Sequence, residues 1–133
     1  MSVFADTSAL LAALVEQDTR HSDAAETWRA LNESEEDLVT TNYVVLELLT
    51  LLQRRHGMTA VRNALDTVLL VISVHWLTPE QQQSALSAML AAGRRDLSLV
   101  DCTSFVAMRD AGVSRAFTTD PHFAEQGFEA EPG

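Results

Sequence analysis

The chain has 133 residues, close to the length of one average domain, so we expect a single domain over residues 1–133. With 47% apolar and 21% charged residues, its composition is typical of a folded globular protein and excludes a disordered chain. Nine basic residues, all of them arginine, against nineteen acidic ones give a net charge of −10. This charge argues against a protein that binds nucleic acid through phosphate contacts alone.

Three features predict a cytoplasmic protein with no membrane segment. The single cysteine, Cys102, cannot form an intramolecular disulfide. The N-terminus carries no basic residue before Asp6, which argues against a signal peptide. The most apolar stretch, 44–52, is interrupted by Glu47 and is far shorter than the roughly 20 residues that span a bilayer.

Strand and helix signals alternate along the first half of the chain. The apolar run 3–5 predicts a buried strand, and Thr7 or Ser8 can cap a helix after it. The further predicted elements are a helix over 22–31, a strand over 37–41, a helix over 42–55 closed by Gly57, and a helix over 58–72 with apolar residues at three- and four-residue steps.

The second half continues the alternation. The predicted elements are a strand over 71–77, a helix that begins at Thr78-Pro79 and ends near Gly93, a helix over 101–111 stopped by Gly112, a strand over 116–119 and a short edge strand near Phe128. Repeated strand–helix alternation predicts an α/β fold with a mainly parallel central sheet that is covered by helices on both faces.

Two acidic residues directly follow predicted strands. Asp6 follows the first strand, and Asp120 follows the strand over 116–119. Ligands of such sheets bind beyond the carboxyl ends of the strands, so both side chains are expected at one edge. Either residue alone also fits a helix cap or a turn.

Glu47 lies in a helix with apolar residues on nearly every side. An unpaired carboxylate taken out of water costs several kcal/mol, so a buried Glu47 is expected to be protonated, paired or bound to a metal. The alternative is that Glu47 marks one solvated stripe of this helix.

Asp101 begins a helix, where Ser98-x-x-Asp101 also fits a capping box. Asp96 is a further candidate, although a surface ion pair with Arg94 or Arg95 is as good an interpretation. Carboxylates without a cluster of histidines or cysteines form a hard oxygen donor set, which suits Mg²⁺ or Mn²⁺ rather than Zn²⁺. The sequence has no phosphate-binding glycine motif and no nucleophile elbow.

Four segments in this order resemble the PIN-domain ribonucleases, specifically the VapC-like toxins of bacterial and archaeal toxin–antitoxin pairs. They are FADTSAL at 4–10, Glu47 in its Leu-rich helix, LSLVDCTSF at 97–105 and TTDPHF at 118–123. The resemblance implies a Rossmann-like α/β/α sandwich in which Asp6, Glu47, Asp101 and Asp120 converge on one or two divalent ions.

The resemblance also implies supporting residues, a cofactor and partners. Hydroxyl groups of Thr7 or Ser8 and of Thr118 or Thr119 are implied as hydrogen-bond donors, with Asp96 as an accessory acid. The implied activity is Mg²⁺-dependent hydrolysis of RNA, with Mn²⁺ as an alternative ion, and the implied partners are a second copy of the chain and a VapB-like antitoxin. The arginines expected to contact RNA phosphates are Arg54, Arg55, Arg94 and Arg95.

Two other functions remain open on sequence grounds. A non-catalytic PIN module that binds RNA or a protein partner would share the fold. A phosphate-transferring hydrolase of the haloacid dehalogenase kind also begins with an aspartate after its first strand, but it needs a second aspartate two residues on, where this chain has Ser8.

Overall fold

A five-stranded, wholly parallel sheet forms the centre of the computed structural model, which describes residues 1–133. The strands lie in the order β3-β2-β1-β4-β5, so the first strand is at the middle. Their bounds are β1 Ser2–Ala5, β2 Asp37–Thr41, β3 Ser73–His75, β4 Arg115–Phe117 and β5 Glu129–Glu131. The predicted α/β class with a mainly parallel sheet is confirmed.

Seven α-helices flank this sheet. They are α1 Thr7–Leu14, α2 His21–Glu33, α3 Asn42–His56, α4 Met58–Asp66, α5 Pro79–Ala92, α6 Leu99–Ala111 and α7 His122–Glu125. None of them combines the length and the apolar character needed to cross a membrane.

The register of the central strands fixes which residues meet at the carboxyl edge of the sheet. Phe4 of β1 pairs with Val39 of β2 and with Ala116 of β4. The three apolar residues of β1 are at most 2% exposed, as expected for a strand covered on both faces. Asp6 and Asp120 therefore leave neighbouring parallel strands in the same direction.

The C-terminal part of the chain is held against α6 by three phenylalanines. The ring centroids of Phe105 and Phe123 lie 4.9 Å apart in an edge-to-face arrangement, and Phe128 lies 5.8 Å from Phe105. Such pairs contribute about 0.5–1.5 kcal/mol each beyond their buried area. This packing fixes the segment that carries Asp120.

Two predicted elements differ from the structure, and one element of the structure was not predicted. The helix predicted over 58–72 ends at Asp66, because Thr67 leaves the helical conformation and its hydroxyl satisfies the carbonyl of Asn63 at 2.7 Å. A 3₁₀ turn, Val68–Leu70, follows it. The strand predicted over 71–77 is only Ser73–His75, and the four-residue helix α7 was not predicted.

Candidate metal centre

The carboxylate of Asp6 lies at the carboxyl edge of the sheet and is 3% exposed. Asp6 is the N-cap of α1. Its backbone N–H donates to the carbonyl of Phe117 at 2.9 Å, and this bond connects β1 to the end of β4. Burial raises the pKa of Asp6 to about 6, against the lowering effect of hydrogen bonds from Ser8 and Thr118. Repulsion from Asp101 and Asp120 adds to the increase.

Two hydroxyl groups hold one oxygen of Asp6. Ser8 Oγ donates to Asp6 Oδ2 at 2.6 Å, and Thr118 Oγ1 donates to the same oxygen at 2.8 Å. In turn, Ser8 Oγ accepts from the backbone N–H of Thr119, and Thr118 Oγ1 accepts from that of Asp120, both at 3.0 Å. Each hydroxyl thus links Asp6 to the segment that carries Asp120.

Asp101 combines a helix cap with a place in the site. Ser98 and Asp101 form the capping box of α6: the Ser98 backbone N–H donates to Asp101 Oδ2 at 3.3 Å, and the Asp101 N–H donates to Ser98 Oγ at 3.0 Å. Burial and then the charge of Asp120 raise the pKa of Asp101. An acid used only as a cap would face solvent, whereas this one is only half-exposed beside other carboxylates.

Asp120 is held by the residue that begins α7. The backbone N–H of His122 donates to Asp120 Oδ1 at 2.9 Å, and the ring Nδ1 of His122 lies 2.6 Å from the same oxygen. The ligand atoms of Asp101, Asp120 and His122 lie within 4.8 Å of one another. In the sequence, His122 stands out only as part of the segment TTDPHF, two residues after Asp120.

Glu47 faces the same space from α3, but it is half-exposed rather than buried. Its neighbours Leu46 and Thr50 are exposed, so α3 has an open stripe that its apolar sequence concealed. The expectation of a buried Glu47 was wrong, and the alternative of a solvated stripe describes α3 better. Neither carboxylate oxygen of Glu47 has a hydrogen-bond or ion-pair partner, and the side chain still lines the site.

One cavity of about 290 Å³ brings these groups together. Its lining residues are Asp6, Thr7, Ser8, Leu11, Glu47, Leu51, Ser98, Asp101 and Asp120. All four acids predicted from the sequence therefore border the same space. Sequence reasoning did not foresee Ser98 as a lining residue, because a capping serine has no need to face a cavity.

The donor atoms around this cavity suit a divalent cation. Asp6, Asp101 and Asp120 each have one oxygen engaged by protein donors and one oxygen without a partner. The hydroxyl of Thr7 is buried and has no hydrogen-bond partner. None of Asp6, Glu47 and Asp101 forms an ion pair. Free carboxylate oxygens of this kind are the ligands that Mg²⁺ and Mn²⁺ prefer.

The remaining predicted residues lie outside the cavity. Asp96 accepts two hydrogen bonds from Arg94, at 2.9 and 3.1 Å, and lies 3.2 Å from His122. Thr119 contributes its backbone N–H rather than its hydroxyl. Arg55 and Arg95 are exposed.

A second cavity of about 410 Å³ adjoins the first and shares Glu47 and Leu51 with it. It lies between α3, α5 and α6, and Arg54 is its only arginine. Of the four arginines predicted to contact phosphate, Arg54 is therefore the one that shares a cavity with a site acid.

Comparisons with known proteins agree with this geometry. A family model described as PIN domain matches residues 3–129. The chain is 33% identical over 127 residues to the 23S rRNA-specific endonuclease VapC20 of Mycobacterium tuberculosis, with 95% of each protein covered. The crystal structure of Mycobacterium tuberculosis VapC20, described as a sarcin–ricin loop cleaving toxin, superposes with a TM-score of 0.82 at 32% identity and covers 95% of both chains.

Proposed function

The chain belongs to the PIN-domain family, among its VapC-like members, and we propose from this premise that it is an Mg²⁺-dependent endoribonuclease. The observation that carries the proposal is the arrangement of Asp6, Asp101 and Asp120 around one cavity, each with a free oxygen and none paired with an arginine. A fold of this class without such a site would support binding alone.

The four acids of the cavity, Asp6, Glu47, Asp101 and Asp120, would hold one or two divalent ions. An ion bound there supplies a Lewis acid that polarises the scissile phosphodiester, activates water near neutral pH and stabilises the leaving oxygen. The protein's own part is to keep the carboxylates oriented before RNA arrives. Ser8 and Thr118 do this for Asp6, since their hydroxyls fix Oδ2 and leave Oδ1 without a hydrogen-bond partner.

The same hydroxyls keep Asp6 available as a ligand despite its burial. Without them the desolvated carboxylate would bind a proton more tightly, because burial disfavours the charged form. Their hydrogen bonds lower the pKa of Asp6 again, to about 6, and so favour an ionised ligand at neutral pH.

RNA is the proposed substrate, and Arg54 is the phosphate contact that the geometry favours. Arg94 is already engaged by Asp96 at 2.9 Å and by Glu125 at 3.5 Å. Arg55 and Arg95 are exposed and remain candidates for a longer contact. Because the site acids repel phosphate, we expect poor RNA affinity when metal is removed.

We further propose that the protein acts in the cytoplasm as the toxin of a toxin–antitoxin pair, as a homodimer and under the control of a VapB-like antitoxin. Apolar side chains on the surface of residues 42–72 support these interfaces. Those at least 45% exposed are Leu46, Met58, Leu65, Leu70 and Val71. Exposed apolar patches on soluble proteins are often interaction sites.

Cleavage of RNA by the antitoxin-free protein tests the proposed activity. The substrates are total RNA and an oligonucleotide with the sarcin–ricin loop of 23S rRNA, each incubated with Mg²⁺ or with EDTA. We expect cleavage only with the divalent ion, with 5′-phosphate and 3′-hydroxyl ends. The variants Asp6→Asn and Asp101→Asn should lose at least about 100-fold in rate, because each removes a ligand charge from the site.

Asp66→Asn is the matched control, since Asp66 is an exposed acid at the end of α4, and it should cleave at the wild-type rate. Full activity of both site variants would overturn the catalytic assignment. RNA binding without cleavage in any divalent ion would instead support the non-catalytic module.

A further inference from the structure

We propose that His122 is a positioning residue of the metal centre: its ring, braced by Asp96, holds Asp120 with one carboxylate oxygen turned to the protein and the other left for the metal. The inference deepens the proposed function and rests on it, since it concerns the same carboxylate site.

The first half of the argument is the contact between His122 and Asp120. Both the backbone N–H and the ring Nδ1 of His122 face the same oxygen, Oδ1, at 2.9 and 2.6 Å. The other oxygen, Oδ2, has no partner. A carboxylate fixed through one oxygen has lost its freedom to rotate, so the free oxygen points in one direction.

The second half is the far side of the ring. Nε2 of His122 lies 3.2 Å from Asp96 Oδ2, and Asp96 is itself gripped by two hydrogen bonds from Arg94. These bonds hold the pKa of Asp96 well below its usual range, so Asp96 remains a charged acceptor. A continuous chain of contacts thus runs from Arg94 through Asp96 and His122 to Asp120.

The ring is placed there by this chain rather than by its contact with Asp120 alone. Its side chain is 14% exposed, and the contact of Nδ1 with Asp120 is short but out of line, so that Nδ1 has no hydrogen-bonded partner. A buried polar atom in this state costs free energy. The ring is therefore oriented by the contact of Nε2 with Asp96 as well as by its closeness to Asp120.

The alternative is that His122 itself binds the metal, because its ligand atoms lie within 4.8 Å of those of Asp101 and Asp120. A histidine ligand needs a ring nitrogen with its lone pair free and aimed at the ion. Here Nε2 is engaged by Asp96, and Nδ1 lies 2.6 Å from Asp120 Oδ1, so an ion at Nδ1 would have to displace that contact. The geometry therefore favours the positioning role, which is the usual task of groups that support metal ligands.

Mn²⁺ binding to the metal-free protein tests the inference without RNA. The variants are His122→Ala, His122→Asn and Asp96→Asn, with His75→Ala as the control, since His75 is an exposed histidine of β3. His122→Ala should weaken Mn²⁺ binding by about 10-fold and raise the half-saturating Mg²⁺ concentration for cleavage by a similar factor. The rate at saturating Mg²⁺ should fall much less.

Two further variants separate positioning from mere support of the fold. His122→Asn should restore part of the affinity, because its amide can donate to Asp120. Asp96→Asn should weaken binding by a smaller factor, about threefold, and add nothing to His122→Ala in the double variant, because Asp96 acts through the ring. The thermal melting temperature of each metal-free variant is the parallel measurement.

Unchanged Mn²⁺ affinity in His122→Ala overturns the inference, as does a wild-type protein that binds no Mn²⁺. A second result also overturns the inference, because it identifies His122 as a metal ligand. In that result His122→Ala loses Mn²⁺ binding as completely as Asp120→Asn, Asp96→Asn has no effect, and His122→Asn restores nothing. If the wild-type protein binds Mn²⁺ but cuts no RNA, the proposed function is contradicted. The Mn²⁺ affinities of the His122 and Asp96 variants still decide the positioning role in that case.

Discussion

Two groups of carboxylates on the same sheet differ in whether an arginine pairs with them. Asp6 and Asp120, which follow β1 and β4, form no ion pair with an arginine. Arg115, the first residue of β4, binds Glu36 just before β2 at 2.7 Å. It also binds Glu131, the last residue of β5, through two hydrogen bonds at 2.8 and 3.0 Å. The pKa of Glu36 is lowered, chiefly by its hydrogen bond to Arg115, whereas the pKa of Asp6 is raised by burial.

The difference separates acids that hold the fold from acids kept for chemistry. A paired carboxylate prefers its folded surroundings at neutral pH, whereas an unpaired, desolvated one does not. An unpaired, desolvated carboxylate next to a cavity lowers the stability of the folded protein. Groups with such strongly shifted pKa values are typical of functional sites. No arginine of this chain forms an ion pair with the four acids that line the cavity.

The largest expected effect concerns the pH dependence of the metal-free protein. A raised pKa in the folded state means that stability is fully present below the unfolded value of 3.8 and is lost as the pH rises through about 6. A shift of about two units corresponds to roughly 3 kcal/mol. In thermal melts with EDTA, the melting temperature of the wild type should therefore fall by about 10 °C relative to that of Asp6→Asn between pH 4 and pH 7.

Asparagine keeps an oxygen that can accept from Ser8 and Thr118, which makes Asp6→Asn the appropriate comparison. Asp66→Asn, at an exposed acid outside the cavity, is the control. A difference between wild type and Asp6→Asn that is constant over this range would contradict the assigned cost of the site.

The paired group should respond in the opposite sense. Arg115→Met keeps the apolar stem and removes the charge, so Glu36 and Glu131 lose their partner, and the melting temperature at pH 7 should fall by roughly 5 °C. Because the pKa of Glu36 is lowered, this stabilisation is present above its usual pKa and lost as the pH falls. The deficit should therefore shrink near pH 3, in melts of both proteins.

RNA cleavage by Arg115→Met, measured below its melting temperature, should equal that of wild type. If Arg115→Met lost cleavage without losing stability, the distinction between acids that hold the fold and acids that serve the reaction would be wrong.

The smallest change in stability is expected at Glu47, which has neither a partner nor full burial. Glu47→Gln should weaken Mn²⁺ binding by about 10-fold, because it removes one ligand charge. The metal-free melting temperature should stay equal or rise by no more than about 2 °C, since repulsion among the acids is relieved. Calorimetric titration and thermal melts measure both, with Glu26→Gln on the exposed face of α2 as control.

A marked loss of metal-free stability in Glu47→Gln would place Glu47 with the structural acids. It would also contradict the absence of any ion pair at this residue.

The carboxyl edge of the sheet was predictable from local sequence, because Asp6 directly follows β1 and Asp120 comes three residues after β4. The exposure of Glu47 was not, since an apolar helix sequence does not reveal which stripe the rest of the chain leaves uncovered. His122 was missed because its partner Asp96 is 26 residues away and reaches it only through the fold. The choice of Ser8 and Thr118 as the hydroxyls that bind Asp6 depends in the same way on how β1 and β4 pair.

The hydrogen bond between Thr118 and Asp6 joins residues 112 positions apart, which bears on when the site is completed during synthesis. Asp6 is synthesised 112 residues before Thr118, which follows the neighbouring strand β4. Folding during translation proceeds from the N-terminus, so an unfinished chain has no partner for β1 on that side. A nascent chain that has not yet reached Thr118 therefore lacks the assembled site.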